Sequence, residues 1–392
     1  MTHRERIETA WRMEEPDRVP IELQLHPSVR EDPRAEKLVR LVDEHADNFA
    51  GAPSAQWGFL GLPSEYEEEV IEERPGRYTR MRRVHRTPAG EFTAVTYHPE
   101  SNPDPNDYHW EKRYVADLED FRRIAEAPRN VCSWDKDAYV DRVEEIGGSG
   151  LPICALMHPL GNLVRSSQME EVYAWLRSEP DLVHSYLEAA NRQVAGTVTA
   201  MQEELGEGID FISWAHEMLV PPWLGHDLFD EFVFPYDREV YGAIHSGGGR
   251  FRAHCHGNPM DFLGKFAEMG VDSIEPLEHP PAGDCILSEA KRRVGDRMLL
   301  SGNVLSQRFP WAGAEEVRAE VREAIRDGAP GGGFTLRTSG GSGETGPKNK
   351  TEEEQARVIR NCEVYIETAL EFGRYPIRSW RVVAVSPDQP QR

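Results

Sequence analysis

Nowhere in its 392 residues does the chain offer the roughly 18 consecutive uncharged apolar residues that a membrane-spanning helix requires. Its start, Met1 to Arg12, carries His3, Arg4, Glu5, Arg6 and Glu8, which is not the composition of an apolar secretory leader. Cysteine is scarce: Cys132, Cys154, Cys255, Cys285 and Cys362 are an odd number without C-x-x-C spacing. That excludes a disulfide framework and a structural zinc ribbon, and points to a reducing, cytoplasmic setting. Positive charge is short as well, since 45 Lys+Arg against 68 Asp+Glu leave a formal net charge of −23. Nucleic acid and membrane surfaces both call for a basic face, so neither is expected as a partner. No G-x-G-x-x-G follows a strand, which removes the usual dinucleotide-binding turn.

Large side chains are plentiful. Nine Trp, 12 Tyr and 14 Phe within a 39% hydrophobic share supply a core, as expected of a folded globular chain. Thr2 to Met13 reads as a helix stopped at Glu14-Glu15-Pro16-Asp17, and Arg18 to Leu25 as a first buried strand. From about residue 67 to 114 the pattern changes to short β-like runs, Tyr78 to His85 and Glu91 to Tyr97, with a turn at Thr87-Pro-Ala-Gly90. This predicts an N-terminal β-rich antiparallel insertion near the mouth of a larger unit, followed by a polar loop from Pro99 to Asp107. Beyond Gly147, apolar runs at Leu151–Leu156, Asp210–Ala215, Arg250–His254, Val271–Glu275, Met298–Ser301 and Gly333–Leu336 alternate with amphipathic stretches such as Pro180–Leu205 and Thr351–Phe372. With the strand at Leu23 and another near Phe49, the pattern predicts an α/β chain: a single (β/α)8 TIM barrel, one domain over 1–392.

Barrel chemistry sits where strands end, so the residues closing each apolar run are the candidates. They are His158, then Trp214, His216 and Glu217, then His254 and His256, then Glu275 and Glu278, then Asn303, then Arg337. In Ala253-His254-Cys255-His256 the alternation of a strand sends both imidazoles to one side and the thiol to the other. Two imidazoles on one face suit zinc or another divalent metal. The competing reading is one hydrogen-bonded histidine and one substrate-binding histidine, with no metal. Glu217, Glu275 or Glu278 would supply a carboxylate ligand or a general base. His216, Glu217, Glu275 and Asn303 are the catalytic candidates, and His158, Trp214, Glu278 and Arg337 the substrate-binding ones. Gly331-Gly-Gly-Phe334 and Ser339-Gly-Gly-Ser-Gly-Glu-Thr-Gly346, with Lys348 and Lys350 beyond, read either as an anion-binding backbone or as a flexible lid.

Glu5-Arg-Ile-Glu-Thr-Ala-Trp11, Pro16-Asp-Arg-Val-Pro20, Arg86-Thr-Pro-Ala-Gly-Glu91, Leu228 to Tyr236, His254-Cys-His-Gly-Asn258, Met269-Gly-Val-Asp272, Glu275-Pro-Leu-Glu278, Ser301-Gly-Asn303 and Gly332-Gly-Phe334 follow one another in an order that resembles the uroporphyrinogen decarboxylase superfamily. That superfamily also holds cobalamin-dependent methyltransferases. The resemblance implies one barrel with its cleft at the carboxyl ends of the strands. The decarboxylases' Arg-Gln-Ala-Gly-Arg motif is absent after the first strand, where the chain reads Leu23-Gln-Leu-His-Pro27. Their Phe-Asp-Ser-Trp-Ala is here Phe211-Ile-Ser-Trp-Ala215. The likeness is therefore closer to the methyltransferase branch, whose zinc sits on a His-x-Cys and a later Cys. Here His254 matches the first ligand, His256 stands at the Cys position, and Ser339-Gly-Gly-Ser342 has no cysteine.

The resemblance implies methyl transfer between a small molecule and a corrinoid carried by a partner protein, because the chain lacks an Asp-x-His-x-x-Gly corrinoid run. The alternatives are a decarboxylase or lyase acting on a non-porphyrin acid, and a metal-dependent hydrolase-like barrel. The partner is expected to dock on an apolar rim patch including Trp223 and Leu224, and a homodimer is compatible with this reading.

Overall fold

The computed structural model describes residues 1–100 and 108–377, so most of the expected polar loop lies outside the described residues. Its strands are β1 (Ile21–Glu22), β2 (Asn48–Ala52), β3 (Glu65–Arg74), β4 (Tyr78–Thr87), β5 (Gly90–Pro99), β6 (His109–Lys112), β7 (Gly150–Ala155), β8 (Phe211–Trp214), β9 (Phe251–His254), β10 (Ser273–Glu275), β11 (Leu299–Val304) and β12 (Phe334–Thr338). Eight of them form a parallel sheet in the order β1-β12-β11-β10-β9-β8-β7-β2, with helices such as Pro180–Leu205, Phe234–Ser246, Ala314–Gly328 and Glu352–Phe372 between and after them. This is the (β/α)8 barrel that the alternating apolar runs predict.

The sheet closes between β1 and β2, where one backbone bond and the side chains of Asp47 and Asn48 make the seam. Asp47 N donates to Ile21 O at 2.6 Å, and Asp47 Oδ2 accepts from Ile21 N at 2.9 Å. Asn48 exchanges both of its amide groups with the backbone of Leu23, at 3.0 and 2.9 Å. The first strand is thus shorter than Arg18–Leu25. Pro20 has no N–H to give a ladder, and Leu23 spends its backbone on Asn48. Asp47 is fully buried and is paired with Arg6 and Arg18, both at 2.6 Å. Burial raises its pKa, yet His3, Arg18 and Arg6 outweigh burial and hold it below the usual carboxylate value. This ties the helix His3–Trp11 to the seam.

Strands β3 to β6 form the antiparallel insertion. Its inner face, with Phe92 and Ala94, is buried and packs on Phe59, whose ring lies 5.3 Å from Phe92. On the β3 edge, Glu67 and Glu69 pair across the ladder with Arg86 and Arg82. Among the described residues, none of this sheet lines the barrel cavity. One apolar cluster runs from Val19 through Phe92 to Ala369. No helix among the described residues is long and apolar enough to cross a membrane.

Candidate functional site

A cavity of about 1000 Å³ opens at the carboxyl ends of the strands. Its charged side is built on β1, β9, β10 and β12. Glu22 is the hub: its carboxylate accepts from Arg252 Nη2 at 2.8 and 3.0 Å, from Ser301 Oγ at 2.7 Å, from Thr335 Oγ1 at 2.5 Å and from Arg337 Nη1 at 3.1 Å. Arg252 is 1% exposed and stacks on the Phe49 ring, 3.8 Å from its centroid. Arg337 Nε also pairs with Glu275. Burial pushes the Glu275 carboxyl up, but Arg337, His254 and Arg252 together hold it well below the usual range.

The two imidazoles stand above this floor. His254 Nδ1 meets Glu275 Oε1 at 2.8 Å, and His256 Nδ1 meets Glu278 Oε2 at 2.9 Å. Their rings lie 4.6 Å apart at 81°. Each Nδ1–H therefore donates to a carboxylate, leaving each Nε2 lone pair without a hydrogen bond among the described residues. Glu278 is itself held by Gln307 Nε2 at 3.2 Å, and Gln307 Oε1 accepts from Ser339 Oγ at 2.5 Å. Burial lowers the His256 pKa, but Glu278, Glu217 and Glu275 outweigh it and raise the net value. A carboxylate that orients a histidine through its far nitrogen is the usual second partner of a metal-binding imidazole. Glu217 does not line the cavity, but its Oε2 is buried with no hydrogen-bond partner.

Trp214 and Arg337 line the cavity as expected, together with Ser339 to Glu344. Glu278, behind His256, and His158, His216 and Asn303 do not. His216 is fully buried, its Nε2 2.9 Å from Tyr241 Oη. Tyr241 donates to Asp237 Oδ2 at 3.2 Å, and His158 Nε2 lies 2.8 Å from the same oxygen. Burial holds His216 neutral, its pKa pushed well down. Asn303 faces a separate cavity of about 510 Å³ against the helix Ala314–Gly328. His158, His216 and Asp237 are the one group of three such side chains among the described residues whose ligand atoms lie within 4.8 Å of one another. His158 caps the helix Pro159–Ser166, its Nδ1 accepting from Gly161 N at 3.1 Å. Its proton is therefore on Nε2 and is given to Asp237, so the trio is a hydrogen-bonded chain rather than an open ligand set.

Two further expectations are corrected. Gly331 to Gly333 precede β12 at the opposite end, where Gly332 packs on the Glu14 backbone, so only the second glycine-rich stretch reaches the cavity. Leu224 is 1% exposed, so of the two residues expected in the rim patch only Trp223, stacked on Tyr173, reaches the surface. Glu22 and Arg252 were legible and missed: alternation in Arg250-Phe-Arg-Ala-His254 puts Arg252 on the face of His254.

The sequence model of the uroporphyrinogen decarboxylase family matches residues 94–343. The chain belongs to the uroporphyrinogen decarboxylase family. Curated relatives include the uroporphyrinogen decarboxylase of Neisseria meningitidis serogroup C, 24% identical over 272 residues that cover 67% of this chain and 68% of the relative. That of Methylibium petroleiphilum is 28% identical over 231 residues, covering 57% and 58%. Among solved structures, a methyltransferase from Methanosarcina mazei superposes with a TM-score of 0.53 over 93% of this chain and 98% of that one, at 14% identity; this likeness speaks for the shared fold. Within the uroporphyrinogen decarboxylase family, the departures noted in sequence fall inside the cavity. Ile212, where the Phe-Asp-Ser-Trp-Ala motif has its acid, and Gln24, in the stretch lacking the arginine motif, both line it.

Proposed function

We propose that this family member is a methyltransferase that moves a methyl group between a small molecule in the barrel cavity and a corrinoid carried by a separate protein. The observation that carries the reading is the pair of imidazoles, His254 and His256, each locked through Nδ1 by a buried carboxylate and each presenting Nε2. The donor chemistry fits a divalent cation, zinc in the first instance. His254 and His256 would hold it. Of the three carboxylates proposed as a further ligand, Glu275 and Glu278 are engaged on the imidazoles, and Glu217 keeps an unpartnered buried oxygen. When bound, such a cation supplies Lewis acidity toward a substrate oxygen.

The protein's own part is orientation. Glu275 accepts a hydrogen bond from His254 Nδ1, with Arg337 keeping that carboxylate ionised, and Glu278 does the same for His256, steadied by Gln307. Trp311, 67% exposed at the cavity's edge, offers the apolar rim contact for the corrinoid protein in place of Trp223 and Leu224. Decarboxylation of a non-porphyrin acid is favoured less, because Arg252 and Arg337 already spend their charge on Glu22 and Glu275. To test the reading, the protein is mixed with a reduced corrinoid protein and methylated donors while the cobalt absorption is followed. Methyl-cobalt formation that vanishes in His254→Ala supports it; carbon dioxide release from an acid, with no methylation by any donor, overturns it.

A further inference from the structure

The cavity has two unlike halves, and the seam between them runs along one pair of strands. The inward positions of β2, β7 and β8 are Phe49, Gly51, Ile153, Ala155, Ile212 and Trp214, all cavity-lining and none charged. Across the β8–β9 ladder Ile212 is the partner of Arg252 and Trp214 the partner of His254, so the charge begins abruptly at β9.

Gly51 stands out on the apolar half. A Cβ built on it meets nothing within 4 Å, and its φ is not in the left-handed region. Neither backbone conformation nor packing calls for glycine there, and glycine weakens a strand. What a side chain would occupy is the space next to Phe49, its neighbour two positions back on the same face. The wall is also braced from behind. Gly51 O accepts from Arg142 Nε at 3.2 Å, Ala155 O from Ser54 Oγ at 2.6 Å and Trp57 Nε1 at 3.0 Å, and Trp214 O from Arg165 Nη1 at 2.8 Å. These bonds hold the carbonyls at the carboxyl ends of the three strands. Trp214 is 44% exposed, and its indole has neither a ring partner nor a hydrogen bond among the described residues.

We propose that the β2–β7–β8 wall seats the apolar, ring-sized body of the substrate, in the space left by Gly51 and against Trp214, with its one polar end turned to His254. This rests on the cavity being the substrate site of the proposed function, but not on methyl transfer. It commits the substrate to a neutral, apolar-bodied class, as against small alkylammonium ions or polycarboxylates.

Binding, read by titration calorimetry on the whole chain, tests this without any reaction. The probes are 4-methylphenol, 4-propylphenol, methylammonium and propane-1,2,3-tricarboxylate. Expected are saturable binding of 4-methylphenol alone or above the two ionic probes, and a loss of about tenfold or more in Gly51→Leu and in Trp214→Ala. Should Gly51→Leu not fold, as judged by circular dichroism, Gly51→Ala serves, with 4-propylphenol losing more than 4-methylphenol. Unchanged phenol binding in the folded Gly51 variants, no phenol binding by the wild type, or tighter binding of either ionic probe overturns the proposal. Phenol binding without methyl-cobalt formation from any donor would count against the proposed reaction alone.

Discussion

Trp214 and His254 are partners across the β8–β9 ladder: the most exposed aromatic of the barrel strands stands beside the first imidazole of the cavity. On the far side of His254, Glu275 is its partner on β10. An apolar wall, a base-bearing ring and its orienting carboxylate are therefore neighbours on successive strands at one level, placed by register and not by loops.

If Glu275 and Glu278 orient the imidazoles for a cation, neutralising them should weaken metal binding without unfolding the protein. Glu278→Gln is expected to lower zinc affinity by about 10–100-fold, read by competition with a chromogenic chelator. Unchanged affinity would assign these carboxylates to structure only.

Glu22 holds the floor. Glu22→Ala leaves Arg252 buried without its counter-ion, and removing one partner of a buried pair typically costs about 3–5 kcal/mol. Chemical denaturation should show a loss of that size, far larger than for an exposed pair such as Arg177 with Asp227.

The chain from His216 through Tyr241 and Asp237 to His158 joins the turn after β8, the helix Phe234–Ser246 and the cap of the helix Pro159–Ser166. Asp237→Ala leaves buried donors unpaired, at about 1–3 kcal/mol each. The expected outcome is a lower midpoint of unfolding with the zinc content of the folded protein unchanged; loss of zinc would instead make the trio a metal site.

A pH effect follows from His279, whose pKa is raised, chiefly by its 2.9 Å hydrogen bond to Glu320. Because the folded pKa lies above the unfolded value, the stabilisation is fully present below pH 6.5 and is lost as pH rises through the folded pKa. With the imidazole partly exposed, it is worth at most about 1 kcal/mol. The stability gap between wild type and His279→Asn should therefore close from pH 6 to pH 9 in urea titrations.

The barrel could be read from sequence because buried parallel strands are continuous apolar runs with helices between them, and the insertion because its alternation is that of an antiparallel sheet. His254 and His256 followed from strand alternation alone. His158 and His216 misled for a physical reason: they do close strands, but Tyr241 and Asp237, on a helix after the next strand-to-helix turn, capture them away from the cavity. Nothing local to His216 announces that. Asn303 misled similarly, facing the helix layer although it closes β11. Gly51 gave no signal, since a glycine's value here lies in the volume it leaves.

X-ray absorption at the zinc edge, on protein purified without chelator and supplied with zinc, tests the central claim most directly. The account predicts one zinc per chain with nitrogen and oxygen neighbours only, imidazole scattering from two rings, and loss of the metal in both His254→Ala and His256→Ala. Sulfur in the first coordination sphere, or zinc retained by both variants, would contradict it.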